Sequence, residues 1–381
     1  MSFDLSKITC VEDLRRVYHR RVPKMFVDYC ESGSWTESTL HANRAAFAAL
    51  KFRQKVLVDL SRRSLKTTML GEEVNLPLAL APVGMSGMQH ADGEILAARA
   101  AERFGVPYIL STVSICSIEE VAAHTTRPFW FQLYMMRDRD FMRDLIARAK
   151  AAGCSALVLT ADLQVLGQRN RDIKNGLSTP PKPTLKNLLN LSTKASWGLA
   201  MLNTQRRTFG NIVGHAQNVS DPTSLSAWTA EQFDLQLSWD DVAWVKNEWG
   251  GKLVIKGIMD ADDARRAVAA GADALIVSNH GGRQLDGAPA SLEVLPEIVA
   301  AVGGQIEVWL DGGIRSGQDL LKAVALGAHA VLIGRAYVYG LGAYGEAGVR
   351  RVLEMIRNEA DISMALCGHT DIRQVGRDIL R

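Results

Sequence analysis

One short stretch of the chain combines a base with a cation that could bind a carboxylate. His280 lies three residues before Arg283 in the sequence SNHGGRQLDG. Arg169 supplies a second guanidinium, and planar guanidinium groups bind carboxylates through paired hydrogen bonds. Asp162 would orient His280 and stabilise its protonated form, as carboxylates do in catalytic triads. This set of residues suits the removal of a proton from a bound carboxylic acid.

Glycines and arginines in the last quarter of the chain are typical of a phosphate site. The sequences DGGIR and GR each follow an apolar run. Glycines there let backbone N–H groups approach a phosphate, while arginines add positive charge. The residues concerned are Asp311, Gly312, Gly313, Arg315, Gly334 and Arg335. The alternative interpretation is that these glycines only serve tight turns.

Other apolar runs also end in polar side chains, which are those of Ser111, Gln132, Tyr134, Thr160, Lys256 and Ser278. A phosphate site beside Gln132, Thr160 and Lys256 leaves a slot for a flat polar ring, which predicts bound flavin mononucleotide (FMN). Lys256 would lie near that ring and stabilise its electron-rich reduced form. A single Lys or Thr at such a position is more often structural, so the prediction depends on the whole set.

Eight apolar runs, most of them followed by an amphipathic helix pattern, account for most of the chain. They begin at Leu76, Val106, Pro128, Ala156, Lys252, Ala274, Glu307 and Ala330. Eight such repeats predict an α/β fold of the TIM (β/α)8 barrel type, in which the C-terminal ends of the strands converge on the active site. The alternative is a doubly wound open sheet, but no G-x-G-x-x-G follows the first strand.

We expect a single domain over residues 1–381. It would consist of an N-terminal helical extension (1–75) that covers one end of the barrel, the barrel itself (76–368) and a C-terminal tail (369–381). An insertion of about residues 163–237 follows the fourth strand, where ordinary loops take about 2 to 6 residues. Such a long loop is usually functional or disordered.

The composition of residues 173–220 within this insertion predicts a surface element that lies on a membrane. The segment has no acidic residue and six cations, Lys174, Lys182, Lys186, Lys194, Arg206 and Arg207. Apolar side chains lie among them, at Leu185, Leu188, Leu189, Leu191, Trp197, Leu199, Met201 and Leu202. Four cations on an anionic lipid surface would contribute roughly 4 kcal/mol. The alternative is a solvated loop or a contact between subunits.

Net charge and cysteine content exclude several classes of protein. The net charge of +3 is too small for a nucleic-acid-binding surface. The five cysteines are scattered without a C-x-x-C pair or a metal-binding cluster, which fits a reducing cytosol and predicts no metal site. The N-terminal stretch has no apolar segment typical of a signal peptide, and no run of about 18 apolar residues predicts a transmembrane helix.

Several of these segments together resemble the FMN-dependent L-2-hydroxy acid dehydrogenase and oxidase family, which includes glycolate oxidase, mandelate dehydrogenase and flavocytochrome lactate dehydrogenase. The segments are SNHGGRQLDG, DGGIR, GR, WFQLY and VPKMFVDY. The resemblance covers nearly the whole chain. It is strongest toward the bacterial membrane-associated L-lactate dehydrogenases, in stretches such as LALAPVGMSGM and LSTVSICSIEEVA.

The resemblance implies a role for each candidate residue. His280 would be the catalytic base and Asp162 its partner. The substrate would be held by Tyr29, Tyr134, Arg169 and Arg283. The backbone of Ala81, Pro82, Val83 and Gly84 would lie near the reactive flavin nitrogen, and the ring would be held by Ser111, Gln132, Thr160 and Lys256. Ser278 is a further candidate for binding the cofactor. The ribityl phosphate would bind to Asp311, Gly312, Gly313, Arg315, Gly334 and Arg335.

Two positions depart from parts of the family. Val113 stands where glycolate oxidase has an aromatic residue, which leaves room for a methyl or larger substituent on the substrate. Gly84 stands where several members have Ala close to the flavin, so the identity of the electron acceptor stays open.

The leading functional hypothesis is oxidation of an L-2-hydroxy acid, L-lactate to pyruvate, with electrons passed to a quinone of the respiratory chain. The enzyme would be attached peripherally to the cytoplasmic face of the inner membrane, as a homo-oligomer, a tetramer by the resemblance. The alternatives are a soluble oxidase that produces hydrogen peroxide and a mandelate or longer hydroxy acid dehydrogenase. From a different class, a lyase or isomerase would use Lys256 as a Schiff-base amine.

Overall fold

The eight predicted strands form one closed parallel sheet in the computed structural model, which describes residues 5–176, 184–216, 232 and 234–381. In chain order the strands are β1 (Thr67–Met69), β2 (Glu72–Val74), β3 (Leu78–Leu80), β4 (Ile109–Ser111), β5 (Trp130–Tyr134), β6 (Ala156–Thr160), β7 (Lys252–Ile258), β8 (Ala274–Val277), β9 (Glu307–Leu310) and β10 (Ala330–Ile333). Within the sheet, β3 pairs with β10, and the other strands follow in descending order from β9 to β4. A parallel bridge between Leu80 and Tyr108 closes the circle. The predicted TIM barrel is confirmed.

Helices pack around the barrel. In the described residues they are α1 (Val11–Arg21), α2 (Lys24–Glu31), α3 (Ser38–Ala49), α4 (Ser86–Gln89), α5 (Gly93–Phe104), α6 (Ile118–Ala122), α7 (Arg139–Ala151), α8 (Asn170–Lys174), α9 (Leu185–Ser192), α10 (Ala195–Asn203), α11 (Trp239–Trp249), α12 (Ala261–Ala269), α13 (Ser291–Val302), α14 (Gly317–Ala325) and α15 (Arg335–Leu366). Side chains of Ser117, Asp260 and Ser316 cap α6, α12 and α14, as such residues commonly do. Tyr344 and Gly345 have non-helical dihedrals, so a kink divides α15.

Large side chains fill the interior of the barrel at the N-terminal ends of its strands. The rings of Trp130 and Trp309 stack with their centres 5.2 Å apart. Met69, from the β1–β2 hairpin, is fully buried in the same apolar cluster. The backbone N–H of Leu70 donates to Glu307, the first residue of β9, at 3.0 Å. The hairpin therefore plugs this end of the barrel.

The segment before the barrel reaches both of its ends, whereas the sequence predicted a helical cover over one. The hairpin lies at one end. At the other, Asn43 on α3 forms hydrogen bonds with Asn279, which follows β8. The helical extension is correct for α1 to α3. The hairpin is missed because two three-residue strands offer too little alternation to detect.

Between β6 and α11 the chain makes the long excursion predicted from the sequence. Its described parts include α8, α9 and α10, and Lys182 falls outside the described residues. Trp197 points inward from α10, where its ring lies 5.6 Å from that of Phe26 and its Nε1 donates to the carbonyl of Met88. Among the described residues, no helix combines the length and apolar character needed to cross a membrane.

Three cations of the insertion bind protein groups, and in the described residues only Arg206 among them is paired with carboxylates. Arg206 pairs with Asp92 at 2.9 Å and Glu120 at 2.8 Å. The ammonium of Lys194 donates to two carbonyls near the C-terminal end of α1. Arg207 donates to two backbone carbonyls of its own segment. The carboxylates of Asp92 and Glu120 neutralise Arg206, whereas Lys194 and Arg207 bind only carbonyls and keep their charge, so contact of this insertion with a membrane stays a prediction.

Candidate active site

A cavity of about 410 Å³ opens at the C-terminal ends of the barrel strands. Most of the predicted site residues line it: Tyr29, Ala81, Pro82, Val83, Tyr134, Arg169, Lys256, His280, Arg283, Asp311, Gly312, Gly313, Arg315, Gly334 and Arg335. The others, Ser111, Gln132, Thr160, Asp162 and Ser278, are buried or half-buried and are not part of the lining. The strand ends thus bring the predicted residues together, and α2 adds Tyr29 from outside the barrel.

His280 and Asp162 form a hydrogen-bonded pair at the mouth of the barrel. Nδ1 of His280 lies 2.9 Å from Oδ1 of Asp162. Burial alone would raise the pKa of the Asp162 carboxyl, but the nearby His280 and Lys256 outweigh burial and lower it. The ionised carboxylate therefore accepts the Nδ1 proton, which leaves the lone pair on Nε2 to act as a base.

A buried amide pair holds the turn that carries His280. The φ angle of His280 is +57°, in the left-handed region that few residues other than glycine adopt. The side chains of Asn43 and Asn279 bond each other in both directions, at 2.8 and 2.9 Å. Asn279 also accepts from the backbone N–H of Gly282 at 3.1 Å. These bonds fasten α3 to the turn and so stabilise the conformation of His280.

Two guanidinium groups approach the ring of Tyr29 at the same cavity. Cζ of Arg283 lies 4.9 Å and Cζ of Arg169 lies 5.8 Å from the ring centre. Nη1 of Arg283 donates to the backbone carbonyls of Tyr29 and Ser32, at 2.6 and 3.0 Å. Burial and the charge of Arg169 lower the pKa of Arg283. An anion that enters between the two arginines would be strongly attracted.

The sequence analysis missed Asp172, which lines the cavity beside these arginines. Its Oδ2 accepts from Nε of Arg169 at 2.7 Å, and its Oδ1 accepts from the hydroxyl of Ser32 at 3.3 Å. Burial raises the pKa of Asp172, although the charges of Arg283 and Arg169 oppose that effect. The usable signal in the sequence is the spacing of three residues after Arg169, which places both side chains on one side of a helical turn.

Buried polar atoms beside the cavity fit the ring of FMN. In the described part of the chain, Nε2 of Gln132, Oγ1 of Thr160 and Oδ1 of Asp311 have no hydrogen-bond partner. Such an atom costs about 1–3 kcal/mol when it stays unpaired. Nζ of Lys256 donates to Ser278 at 2.8 Å and pairs with Asp311 at 3.1 Å. Burial opposes the charge of Lys256, but neighbouring carboxylates outweigh it and raise its pKa. A polar ring would satisfy these atoms.

The glycines after β9 line the cavity and let α3 pack closely against their turn, while their contact with a phosphate stays a prediction. Gly312 and Gly313 have φ angles of +94° and +92°, which only glycine adopts readily. A Cβ on Gly313 would lie 2.3 Å from the carbonyl oxygen of Asn43. Arg315 lines the cavity next to them, and its Nη1 donates to the carbonyl of Ile314 at 2.8 Å.

Arg335, the predicted phosphate ligand at the start of α15, already binds three backbone carbonyls. Its Nε donates to Cys30 at 2.8 Å, Nη1 to Gly281 at 2.9 Å and Nη2 to Ser32 at 3.0 Å. Burial lowers the pKa of Arg335 to about 10. The side chain therefore ties α2 to the turn of His280, and its contact with a phosphate stays a prediction.

The remaining wall of the cavity is apolar and is formed in large part by Val113, Met136, Leu163, Leu166 and Phe209. Gly84 lies beside it. A Cβ on Gly84 would lie 2.7 Å from Cγ2 of Val113 and 3.2 Å from the hydroxyl of Tyr29. Because Gly84 has no side chain, Val113 and Tyr29 can pack this close to its backbone.

Comparison with known proteins identifies the family. Residues 18–381 match the family of FMN-dependent dehydrogenases. The chain belongs to this family. The L-lactate dehydrogenases of Caulobacter sp. (strain K31) and Pseudomonas entomophila (strain L48) are each 44% identical to it over 374 residues, which cover 98% of this chain and 98% of theirs. The predicted FMN cofactor and oxidoreductase class are confirmed.

Solved structures of an (S)-mandelate dehydrogenase and a mandelate oxidase share the whole fold. An (S)-mandelate dehydrogenase described as a monotopic membrane protein has a TM-score of 0.94 at 39% identity, over 98% of this chain and 99% of its own. A mandelate oxidase has a TM-score of 0.83 at 39% identity, over 98% of both chains. The resemblance drawn from the sequence motifs is therefore correct over nearly the full length.

Proposed function

We propose that this FMN-dependent dehydrogenase oxidises L-lactate, or a similar small L-2-hydroxy acid, to the 2-oxo acid. The observation that carries the proposal is that the His280–Asp162 pair meets Arg169 and Arg283 at one cavity. Such a set can bind a carboxylate and remove a proton from the adjacent carbon or its hydroxyl. The relatives named L-lactate dehydrogenase, at 44% identity, support the choice of lactate.

The side chains divide the work between binding and proton transfer. Arg169 and Arg283 would bind the substrate carboxylate, with the hydroxyl of Tyr29 nearby. Burial raises the pKa of Tyr134, so its hydroxyl stays protonated and can donate a hydrogen bond to the substrate. Nε2 of His280 takes the hydroxyl proton in a hydride mechanism and the Cα proton in a carbanion mechanism. In both mechanisms His280 ends protonated, and the carboxylate paired with it stabilises that state.

Bound FMN supplies the acceptor for the two electrons that leave the substrate. Gln132, Thr160 and Lys256 would hold its ring. The hydroxyl of Ser111 donates to Oε1 of Gln132 at 3.2 Å, which leaves Nε2 as the atom for the ring. The glycines that follow β9 and β10, with the arginines beside them, would hold the phosphate.

Anaerobic mixing of the FMN-loaded protein with a panel of 2-hydroxy acids tests this proposal. We expect L-lactate to bleach the flavin absorbance, and D-lactate and L-lactamide to bleach it far more slowly. The amide lacks the negative charge that the two arginines would bind. A fully loaded enzyme whose flavin stays oxidised with every L-2-hydroxy acid would refute the proposed function.

An aromatic L-2-hydroxy acid such as (S)-mandelate is the second candidate substrate. The apolar wall of the cavity favours it, because that wall offers contact area for a side chain larger than methyl. The solved relatives named mandelate dehydrogenase and mandelate oxidase support it as well. A kcat/KM for (S)-mandelate above that for L-lactate would make mandelate the preferred assignment. The yield of hydrogen peroxide in air would reveal an oxidase.

We propose further that electrons pass to a membrane quinone and that α9 and α10 lie on the lipid surface. Leu185, Leu188, Leu189, Leu199 and Leu202 on these helices are between 55% and 74% exposed. Fully burying a leucine side chain contributes about 1.5–3 kcal/mol. Partial insertion of this leucine face would therefore support peripheral attachment without a transmembrane helix. The relative described as a monotopic membrane protein is consistent with such a contact.

Vesicle co-sedimentation tests the leucine face. Changing Leu185, Leu188 and Leu189 to Ser should abolish vesicle binding and quinone reduction, while L-lactate still bleaches the flavin. Changing Lys186 to Ser is the matched control on the same helix and should have little effect. Binding of the parent should persist in high salt, because apolar contacts are not screened. Equal binding of the leucine variant and the parent would discard the membrane role.

The assembly and cellular location follow the same proposal. We expect a homo-oligomer, a tetramer, bound to the cytoplasmic face of the inner membrane. Light scattering of the detergent-free protein measures the oligomeric state. Protease accessibility in inverted membrane vesicles shows which face of the membrane the enzyme occupies. A monomer, or an enzyme found on the opposite face, would contradict the respective expectation.

A further inference from the structure

We propose that Asp172 is a positioning residue that fixes Arg169 for the substrate carboxylate, an inference that rests on the proposed function. The carboxylate of Asp172 is 7% exposed and lines the cavity. Nε of Arg169 donates to it at 2.7 Å. Across the described residues, Nη1 and Nη2 of Arg169 have no hydrogen-bond partner of their own. The bond at Nε therefore leaves the outer edge of the guanidinium to an incoming anion.

The same carboxylate is connected to the second arginine. Oδ1 of Asp172 accepts from the hydroxyl of Ser32 at 3.3 Å. The backbone carbonyl of Ser32 accepts from Nη1 of Arg283 at 3.0 Å. Asp172 thus reaches Arg169 directly and Arg283 through one residue. This connection sets the two guanidinium groups in a fixed relation to each other.

The positive charges of Arg169 and Arg283 explain why a carboxylate is needed beside them. Arg169 and Arg283 both approach the ring of Tyr29, so they repel each other when no anion is bound. A long arginine side chain that is not held gains rotamer freedom by moving into solvent. The negative charge of Asp172 keeps Arg169 at the cavity and leaves the arginine pair with a net charge near +1. That charge matches a monocarboxylate.

The local sequence explains why Asp172 can do this. Arg169 is the residue before the first turn of α8, and Asp172 lies three residues later on that turn. Side chains with this spacing meet on one side of a helix. Misplacement of a substrate-binding group by about 1 Å can cost about 100-fold in rate. A short bond formed within one turn limits such misplacement.

The decisive experiment measures ligand affinity in a double-mutant cycle. Pyruvate, the product of the proposed reaction, is titrated into the FMN-loaded enzyme by calorimetry. Asp172→Asn should raise the Kd for pyruvate and the KM for L-lactate by roughly tenfold, the worth of a charge-assisted hydrogen bond. In an Arg169→Gln background the same change should have no further effect, because the residue through which Asp172 acts is gone.

Matched variants separate positioning from folding. Asp28→Asn is the control, since Asp28 accepts from Asn175 at 2.7 Å beside the same helix but is not part of the cavity lining. It should leave the Kd unchanged. If Asp172→Asn does not fold, Ser32→Ala replaces it, because this change removes the bond to Oδ1. It also removes the longer contacts of this hydroxyl with Nη1 of Arg283 at 3.4 Å and with the carbonyl of Tyr29 at 3.5 Å, so the Arg169→Gln background is needed to isolate the part that acts through Arg169. A rise in Kd that depends on Arg169 supports the proposal.

Two outcomes would overturn the inference. One is an unchanged Kd for pyruvate in Asp172→Asn, and the other is an equal rise in the presence and absence of Arg169. A parent enzyme that binds pyruvate but does not oxidise L-lactate would instead refute the proposed function. In that case the affinity comparison would still decide whether Asp172 positions Arg169.

Discussion

Changing Asp162 to Asn should slow flavin reduction by L-lactate about 10²- to 10⁴-fold. The carboxylate faces Nδ1 of His280 at 2.9 Å. A neutral amide cannot stabilise the imidazolium that forms when Nε2 takes a proton. The amide can also turn its N–H₂ group toward Nδ1, which would move the ring proton to Nε2 and remove the base. Both effects act on the chemical step.

The size of the effect follows from the distance. Two unit charges 2.9 Å apart attract each other by about 6 kcal/mol at an effective dielectric constant of about 20. The ionised Asp162 also bears a desolvation cost that an Asn does not, so only part of this attraction is lost on substitution. A net loss of about 3 to 5 kcal/mol corresponds to the stated range, since about 1.4 kcal/mol changes a rate tenfold.

Stopped-flow absorbance under anaerobic conditions, at saturating L-lactate, measures the rate directly. Flavin content and thermal unfolding of the variant serve as controls for folding. The double variant Asp162→Asn, His280→Gln should reduce its flavin no more slowly than the slower single variant, because the two side chains act as a unit. The reasoning would be refuted if Asp162→Asn reduced its flavin as fast as the parent enzyme. It would also be refuted if the fold-decrease in the double variant equalled the product of the fold-decreases in the two single variants.

Three further predictions concern the groups around this pair. Arg283→Lys should raise KM for L-lactate and lower kcat together, because an ammonium cannot form paired bonds to a carboxylate; unchanged steady-state constants would mean that other groups hold it. Arg335→Gln should weaken FMN retention more than it changes turnover of the fully loaded enzyme, as measured by the fluorescence of released FMN, and unchanged retention would remove Arg335 from the phosphate site. Asn43→Leu should lower the free energy of unfolding by about 2–4 kcal/mol, since it removes both bonds between the amides of Asn43 and Asn279 and the bond that Asn43 accepts from the backbone N–H of Ser291; a urea midpoint equal to the parent's would contradict this.

The barrel and the hydrogen-bonded pair of His280 and Asp162 could be predicted because both follow from local patterns. The barrel strands are largely buried apolar runs; β4, β5 and β6 end in a polar residue, and a polar residue directly follows β8 and β9. Parallel strands converge at one end, so Asp162, Lys256 and His280 had to meet once eight strands were recognised. Tyr29 is different, because it lies on α2, before the barrel. No periodicity connects that helix to the strand ends, and only the family resemblance assigned Tyr29 to the site.

The partners of charged side chains could not be predicted from composition. Lys194 and Arg206 have the spacing of solvent-facing cations, yet both bind groups that are distant in sequence. In the sequence, Asp172 is typical of an acidic residue on a helix surface, but in the structure its side chain is only 7% exposed and lies at the cavity. Which charges are neutralised depends on which segments fold side by side. That information lies in tertiary packing and not in local periodicity.

The plug formed by Met69, Trp130 and Trp309 bears on the order of events during turnover. It fills the barrel at the N-terminal ends of the strands, so the described cavity communicates with the outside at the C-terminal ends. The hydroxy acid and the electron acceptor would then share one entrance. The oxo acid would have to leave before the acceptor approaches, so each cycle would consist of two half-reactions that alternate in time. Initial-rate plots at several acceptor concentrations should then give parallel lines.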